Sequence, residues 1–103
     1  MEATKQQRLE AAGWKVGTTA EFLGLSEEEA ALVEIKLRLS RKLRERRQQR
    51  MTQVELAARL NSSQPRVAKA EQGDSSVSLE LLVRAMLATG ATSKEIGLAI
   101  AEM

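Results

Sequence analysis

An all-α fold of five or six short helices follows from three observations on this chain of 103 residues. Aliphatic residues recur at helical rather than alternating spacing. Hydrophobic residues make up 43% and aromatics 2%, so a core must be built from Leu, Ile, Val, Met and Ala. Ser or Thr followed three residues later by Glu, the signature of a helix start, recurs at Ser26–Glu29, Thr52–Glu55 and Thr92–Glu95. One proline and few β-branched runs leave little room for strands. The length allows one small domain, residues 26–103, preceded by an arm, residues 1–25.

In the arm, Thr4–Ala12 is weakly helical, Gly13 and Gly17 flank Trp14, and Thr18–Glu21 caps a single turn ending near Leu23. Trp14 and Phe22 are the only aromatics. They are candidates for binding a partner protein, because exposed aromatics make good interface anchors. The alternative is that they fold back onto the following helix.

That helix opens at Ser26 and runs to about Gln48. Leu32, Ile35, Leu39 and Leu43 form its main inward stripe; Ala30, Val33 and Leu37 form a second apolar strip well round from the first. A helix apolar on two sides has two surfaces to cover. Between Lys36 and Arg50 lie eight basic residues against one acid, Glu45. Such a block is the electrostatic footprint of a phosphate-binding surface. It carries Leu39 and Leu43 but no Trp or Phe to insert in a membrane.

The stretch Thr52–Gly73, TQVELAARLNSSQPRVAKAEQG, carries the most information. A helix starts at Gln53 behind the Thr52 cap, with Ala57 and Leu60 inward and Val54 beside them. Asn61 tolerates the left-handed conformation that a turn between two helices demands. Ser63 is a good N-cap for a second helix, and Pro65, in its first turn, has no intrahelical N–H to lose. Gly73 ends it where a positive φ is wanted. Val67, Ala70 and Glu71 share one face; Pro65, Ala68, Lys69 and Gln72 share the other, with Gln64 at the tip. That outer face suits a DNA major groove: Gln pairs bidentately with adenine, Lys reaches guanine or phosphate, and Ala admits a thymine methyl. After an Asp74–Val77 loop, Ser78 caps a helix with Leu79, Leu82, Val83 and Met86 inward, ending at Gly90. The last helix, from Thr92, aligns Ile96, Ala99, Ile100 and Met103.

Thr52, Gln53, Glu55, Leu56, Ala57, Leu60, Ser63, Val67, Glu71 and Gly73 together resemble the helix-turn-helix of the phage-repressor (XRE, Cro-type) family. The likeness extends from Leu32 to the C-terminus. It implies a phage-repressor-like fold and a recognition helix at Ser63–Gln72. By that resemblance Gln64, Pro65 and Lys69 take base-reading positions and Gln53 and Ser63 face phosphates. Ala68 joins the base readers from the outer face of the helix, and Arg47, Arg50 and Arg66 join the phosphate contacts as basic residues. Asn61 stands where most relatives carry Gly, and Ser62 where they carry an aliphatic residue, which should weaken the turn slightly. Arg46, three residues after Leu43, and Glu71, four after Val67, both fall on inward stripes and are expected to form a structural ion pair, a tie the family also implies. The arm and the stretch AEFLGLSEEEAALVEIKLRLSRKLRERR look like the HigA-like regulators, antitoxins paired with RNase toxins.

The expected function is therefore sequence-specific binding of double-stranded DNA by a homodimeric repressor, the alternative being an antitoxin that neutralises a toxin protein and represses its own operon. With no Cys and no His, thiol chemistry, disulfides, the usual zinc sites and His-based catalysis are excluded. No enzyme activity, catalytic residue, metal or cofactor is expected. Glu27, Glu28 and Glu29 are a helix N-terminus, where the dipole favours anions. No apolar run is long enough to span a membrane, so a soluble cytoplasmic protein is expected.

Overall fold

A computed structural model describes residues 24–101; the expectations for Trp14, Phe22 and the rest of the arm up to Leu23, and for Met103, lie outside the described residues. The described residues form five helices and no strand: α1 Glu27–Arg50, α2 Gln53–Arg59, α3 Gln64–Glu71, α4 Leu79–Ala88 and α5 Ser93–Ala101. The fold is all-α and of the phage-repressor helix-turn-helix kind, with α2 and α3 as the paired helices.

Helix starts obey local chemistry. At Ser26–Glu29, Thr52–Glu55 and Thr92–Glu95 the hydroxyl accepts the Glu backbone N–H at 3.1 Å, and the Glu carboxylate accepts the cap's own N–H at 2.7–2.8 Å. Ser63 and Ser78 cap α3 and α4, accepting from the N–H of Arg66 and Leu81.

Helix ends are equally regular. Asn61, Gly73 and Gly90 take positive φ of 54°, 76° and 93°. After each, a backbone N–H reaches back five residues: Ser62 to Ala57, Asp74 to Lys69, Ala91 to Met86, at 2.8–3.1 Å. This closes α2, α3 and α4 with the same doubly bonded cap. A side chain was expected to be unwelcome at Gly73 on backbone grounds alone; a Cβ there would also lie 2.7 Å from Leu37 Cδ2.

The compact unit that holds the core begins at Ile35. Leu39, Leu43, Leu56, Leu82, Met86 and Val67 are its largest fully buried side chains. Two apolar expectations fail. Leu32 is 45% exposed, and Val54 is 64% exposed because α2 turns Leu56 inward instead. Leu81 joins Leu82 in the core, whereas Leu79 and Val83 are only partly buried.

Basic side chains of α1 and α2 donate to backbone carbonyls elsewhere in the chain, two of them at helix C-terminal ends. Arg38 donates to the Ile100 carbonyl at 2.8 Å, Arg59 to that of Ala88 at 3.2 Å, and Lys36 to that of Ser75 at 3.2 Å. Cations at C-terminal carbonyls also meet the negative end of the helix dipole.

Ser62 occupies the position of the α2 cap where an apolar contact usually forms. Its hydroxyl oxygen is buried and has no hydrogen-bond partner among the described residues. Ser62→Ala is therefore expected to stabilise the protein by about 1 kcal/mol in urea titration; a loss of stability would show the hydroxyl to be satisfied.

Candidate nucleic-acid interface

The surface centres on α3. Val67, Ala70 and Glu71 are buried, while Gln64, Pro65, Arg66, Lys69 and Gln72 are exposed and Ala68 is half-buried. All four expected base-reading residues thus share the outward side of one helix, with the Ser63 cap at its start. Pro65, in the first turn, has no N–H to leave unfilled there.

Two grooves flank this helix. One is lined by Arg50, Gln53, Val54 and Gln64 among others, the second by Ser63, Pro65, Arg66, Lys69, Ser76 and Val77. The exposed side of α3 lies between these two shallow concavities. Arg50 and Arg66, expected at phosphates, stand at opposite grooves and are exposed. Ser76 was not singled out from the sequence. Its N–H and hydroxyl both donate to Asp74 Oδ1, at 2.8 and 2.6 Å, and hold the loop beside Lys69. The Asp-x-Ser spacing is the signal that could have found it.

Behind α3, the expected ion pair uses a different arginine. Arg47, not Arg46, meets Glu71: its Nε donates to Oε2 at 2.7 Å and its Nη2 to Oε1 at 2.8 Å. The Arg47 and Glu71 side chains are only 14% and 3% exposed. The reason is helical geometry. Four residues beyond Leu43 the helix points back towards α3; three residues beyond, it points the other way, towards α4 and α5. Arg46 accordingly donates to the Thr89 hydroxyl at 3.1 Å and lies 3.5 Å from Glu95. Arg47, expected at phosphates, is thereby committed inside, with Nη1 also donating to the Met51 carbonyl at 3.4 Å.

Gln53 lies between the ion pair and the surface. Its Nε2 donates to Glu71 Oε1 at 3.0 Å, and its Oε1 accepts from Gln64 Nε2 at 2.5 Å. Burial pushes the Glu71 carboxyl up, but hydrogen bonds from Arg47 and Gln53, with the charges of Arg47 and Arg44, outweigh it and hold the group below its ordinary value. The hydrogen bond to Glu71 likewise raises Arg47. No group of three or more metal-ligating side chains occurs among the described residues, and none of the described helices is long and apolar enough to cross a membrane.

Two packed helices joined by a tight turn, the second presenting a polar outer face between basic grooves, define a DNA-binding transcriptional regulator. The chain belongs to the helix-turn-helix family of the XRE type, whose model matches residues 41–96, more than half of its length. No curated protein and no solved structure matches the chain.

Removing Glu71 would leave Arg47 charged, buried and unpaired. Glu71→Ala is expected to lower stability by roughly 3–5 kcal/mol in urea titration. The pair also sets an acid limit. A carboxyl lowered in the folded state contributes fully above its unfolded value, near 4.3, and loses that contribution as pH falls through the folded value. The melting temperature should therefore decline below about pH 4.5, less steeply in Glu71→Gln. Equal slopes would remove Glu71 from the account.

Proposed function

We propose that the protein is a repressor that binds a specific site on double-stranded DNA as a homodimer in the cytoplasm, reading bases with Gln64, Pro65, Ala68 and Lys69. The observation that carries this reading is the exposed outer face of α3, set between Arg50 and Gln53 on one side and Arg66 and Ser76 on the other. Ser63 and Gln53 flank the tip of that helix, where a phosphate would pass. One recognition helix covers too few base pairs for useful selectivity, so two copies on half-sites about one helical turn apart are proposed. Leu87 and Leu98, exposed on α4 and α5, offer apolar surface for pairing.

The test separates base readers from phosphate contacts. Gln64→Ala and Lys69→Ala should each cost about 1–3 kcal/mol on the preferred duplex and relax sequence choice there. Arg50→Ala and Arg66→Ala should weaken every duplex alike and reduce the salt slope by about one unit each. Anisotropy titrations read both, and sedimentation equilibrium on a two-half-site duplex reads the stoichiometry. Equal weakening of random and preferred DNA by Gln64→Ala, or one copy per duplex, contradicts the proposal.

A second reading is supported by Val33 and Leu37, which are 44% and 37% exposed on one side of α1. An antitoxin would use such a strip, with Trp14 and Phe22 of the arm, to hold a toxin protein. On this reading, deleting residues 1–23 spares melting temperature and DNA affinity but abolishes co-purification with the product of an adjacent toxin gene. A large loss of stability, with no partner on the full chain, leaves the repressor alone.

A further inference from the structure

The loop that follows the recognition helix carries an acid where it meets the second groove. Residues 74–77, Asp-Ser-Ser-Val, hold one carboxylate and no cation. The Asp74 backbone is tied on both sides: its N–H donates to the Lys69 carbonyl and its own carbonyl accepts from the Val77 N–H, each at 3.1 Å. Its side chain is tied as well, because Oδ1 accepts the Ser76 hydroxyl at 2.6 Å and the Ser76 N–H at 2.8 Å. Those two bonds, with the charges of Lys69 and Lys36, outweigh burial and hold the carboxyl below its ordinary value, so it is ionised at neutral pH. Ser76 lines the same groove as Ser63, Arg66 and Lys69, which places the charge of Asp74 one hydrogen bond behind the groove wall.

We propose that Asp74 is an electrostatic restraint on DNA binding, a fixed negative charge at the edge of the interface that lowers affinity for every duplex alike. The inference rests on the DNA-reading function proposed above. Phosphate attraction supplies the affinity for duplexes of any sequence, and it depends on the cations the protein brings to the backbone. Asp74 works against it in two ways. Its charge repels phosphates and offsets one unit of the positive charge that Lys69 and Lys36 bring to this edge. It also occupies the N–H and the hydroxyl proton of Ser76, two donors that a phosphate oxygen could otherwise use, so Ser76 can only accept towards the groove. Lys36 is itself held on the same loop, donating to the Ser75 carbonyl at 3.2 Å. A duplex lacking the preferred bases is thus held weakly, and stable binding depends on base contacts.

Asp74→Asn is the deciding variant, since its Oδ1 can accept the same two hydrogen bonds without the charge. Dissociation constants are measured by anisotropy over a series of salt concentrations, on the preferred duplex selected from a randomised pool and on a random duplex. Asp74→Asn should bind both about three- to tenfold more tightly at low salt, with a salt slope steeper by about one unit. The ratio between the two duplexes should stay within about twofold of the wild-type ratio, and the gain should shrink as salt screens the charge. Ser76→Ala loosens the loop but keeps the charge, so its affinity should not rise. Should Asp74→Asn not fold, Asp74→Ser, whose hydroxyl can accept from the same donors, decides in its place. Wild-type or weaker binding by the folded variant, a gain confined to one duplex, or an equal gain in Ser76→Ala overturns the proposal while leaving DNA reading intact. A wild type that binds no duplex overturns the DNA-reading function, and the restraint with it.

Discussion

A carboxylate buried in the back of the recognition helix constrains the rest of the domain. Glu71 on α3 can be taken from water only if a cation meets it with good geometry, since an unpaired buried charge costs several kcal/mol. Arg47 on α1 supplies that geometry with two nearly equal hydrogen bonds. Apolar packing of Val67 and Ala70 drives α3 onto the core but is not directional. The forked ion pair is directional, and it sets the register of α3 against α1. Gln53 adds α2 to the same carboxylate. Three helices thus converge on one charged group behind the outward side of α3.

The same constraint divides the basic helix. Four of the cations between Lys36 and Arg50 are engaged with other elements: Lys36 with Ser75, Arg38 with Ile100, Arg46 with Thr89, Arg47 with Glu71. Lys42 lies 3.7 Å from Glu45 on the surface. Arg41, Arg44 and Arg50 are exposed. A charge block read along the chain therefore overstates the charge available to phosphates. Much of it serves to close helix C-termini and to offset a buried acid.

Features decided within four or five residues were legible in the sequence. Hydroxyl caps, Pro65 in the first turn of α3, and the left-handed Asn61 and Gly73 each depend on local backbone geometry, and each falls where local chemistry puts it. The outward face of α3 was legible for the same reason, because helical periodicity alone sorts Gln64 and Lys69 from Val67 and Glu71. What could not be read was the direction in which α1 points its arginines, since neighbours in sequence diverge to opposite packing partners. Arg46 and Arg47 are both arginine, and only the placement of α3, α4 and α5 tells them apart. Gln53 joins Glu71 across 18 residues of chain, a relation carried by the turn and not by any motif. The second apolar strip at Val33 and Leu37 was legible as a strip, and both of its residues are exposed.

The most direct test of the account is a titration of the isotope-labelled protein with duplex DNA, followed by the amide resonances of backbone and glutamine side chains. The account places the interface on the outer face of α3 and its two grooves. Resonances of Gln53, Gln64, Arg66, Ala68, Lys69 and Ser76 should therefore shift most, and the side-chain amides of Gln53 and Gln64 should move together because they share a hydrogen bond. Shifts concentrated instead on Val33 and Leu37, or on Leu87 and Leu98, with α3 unaffected, would contradict it.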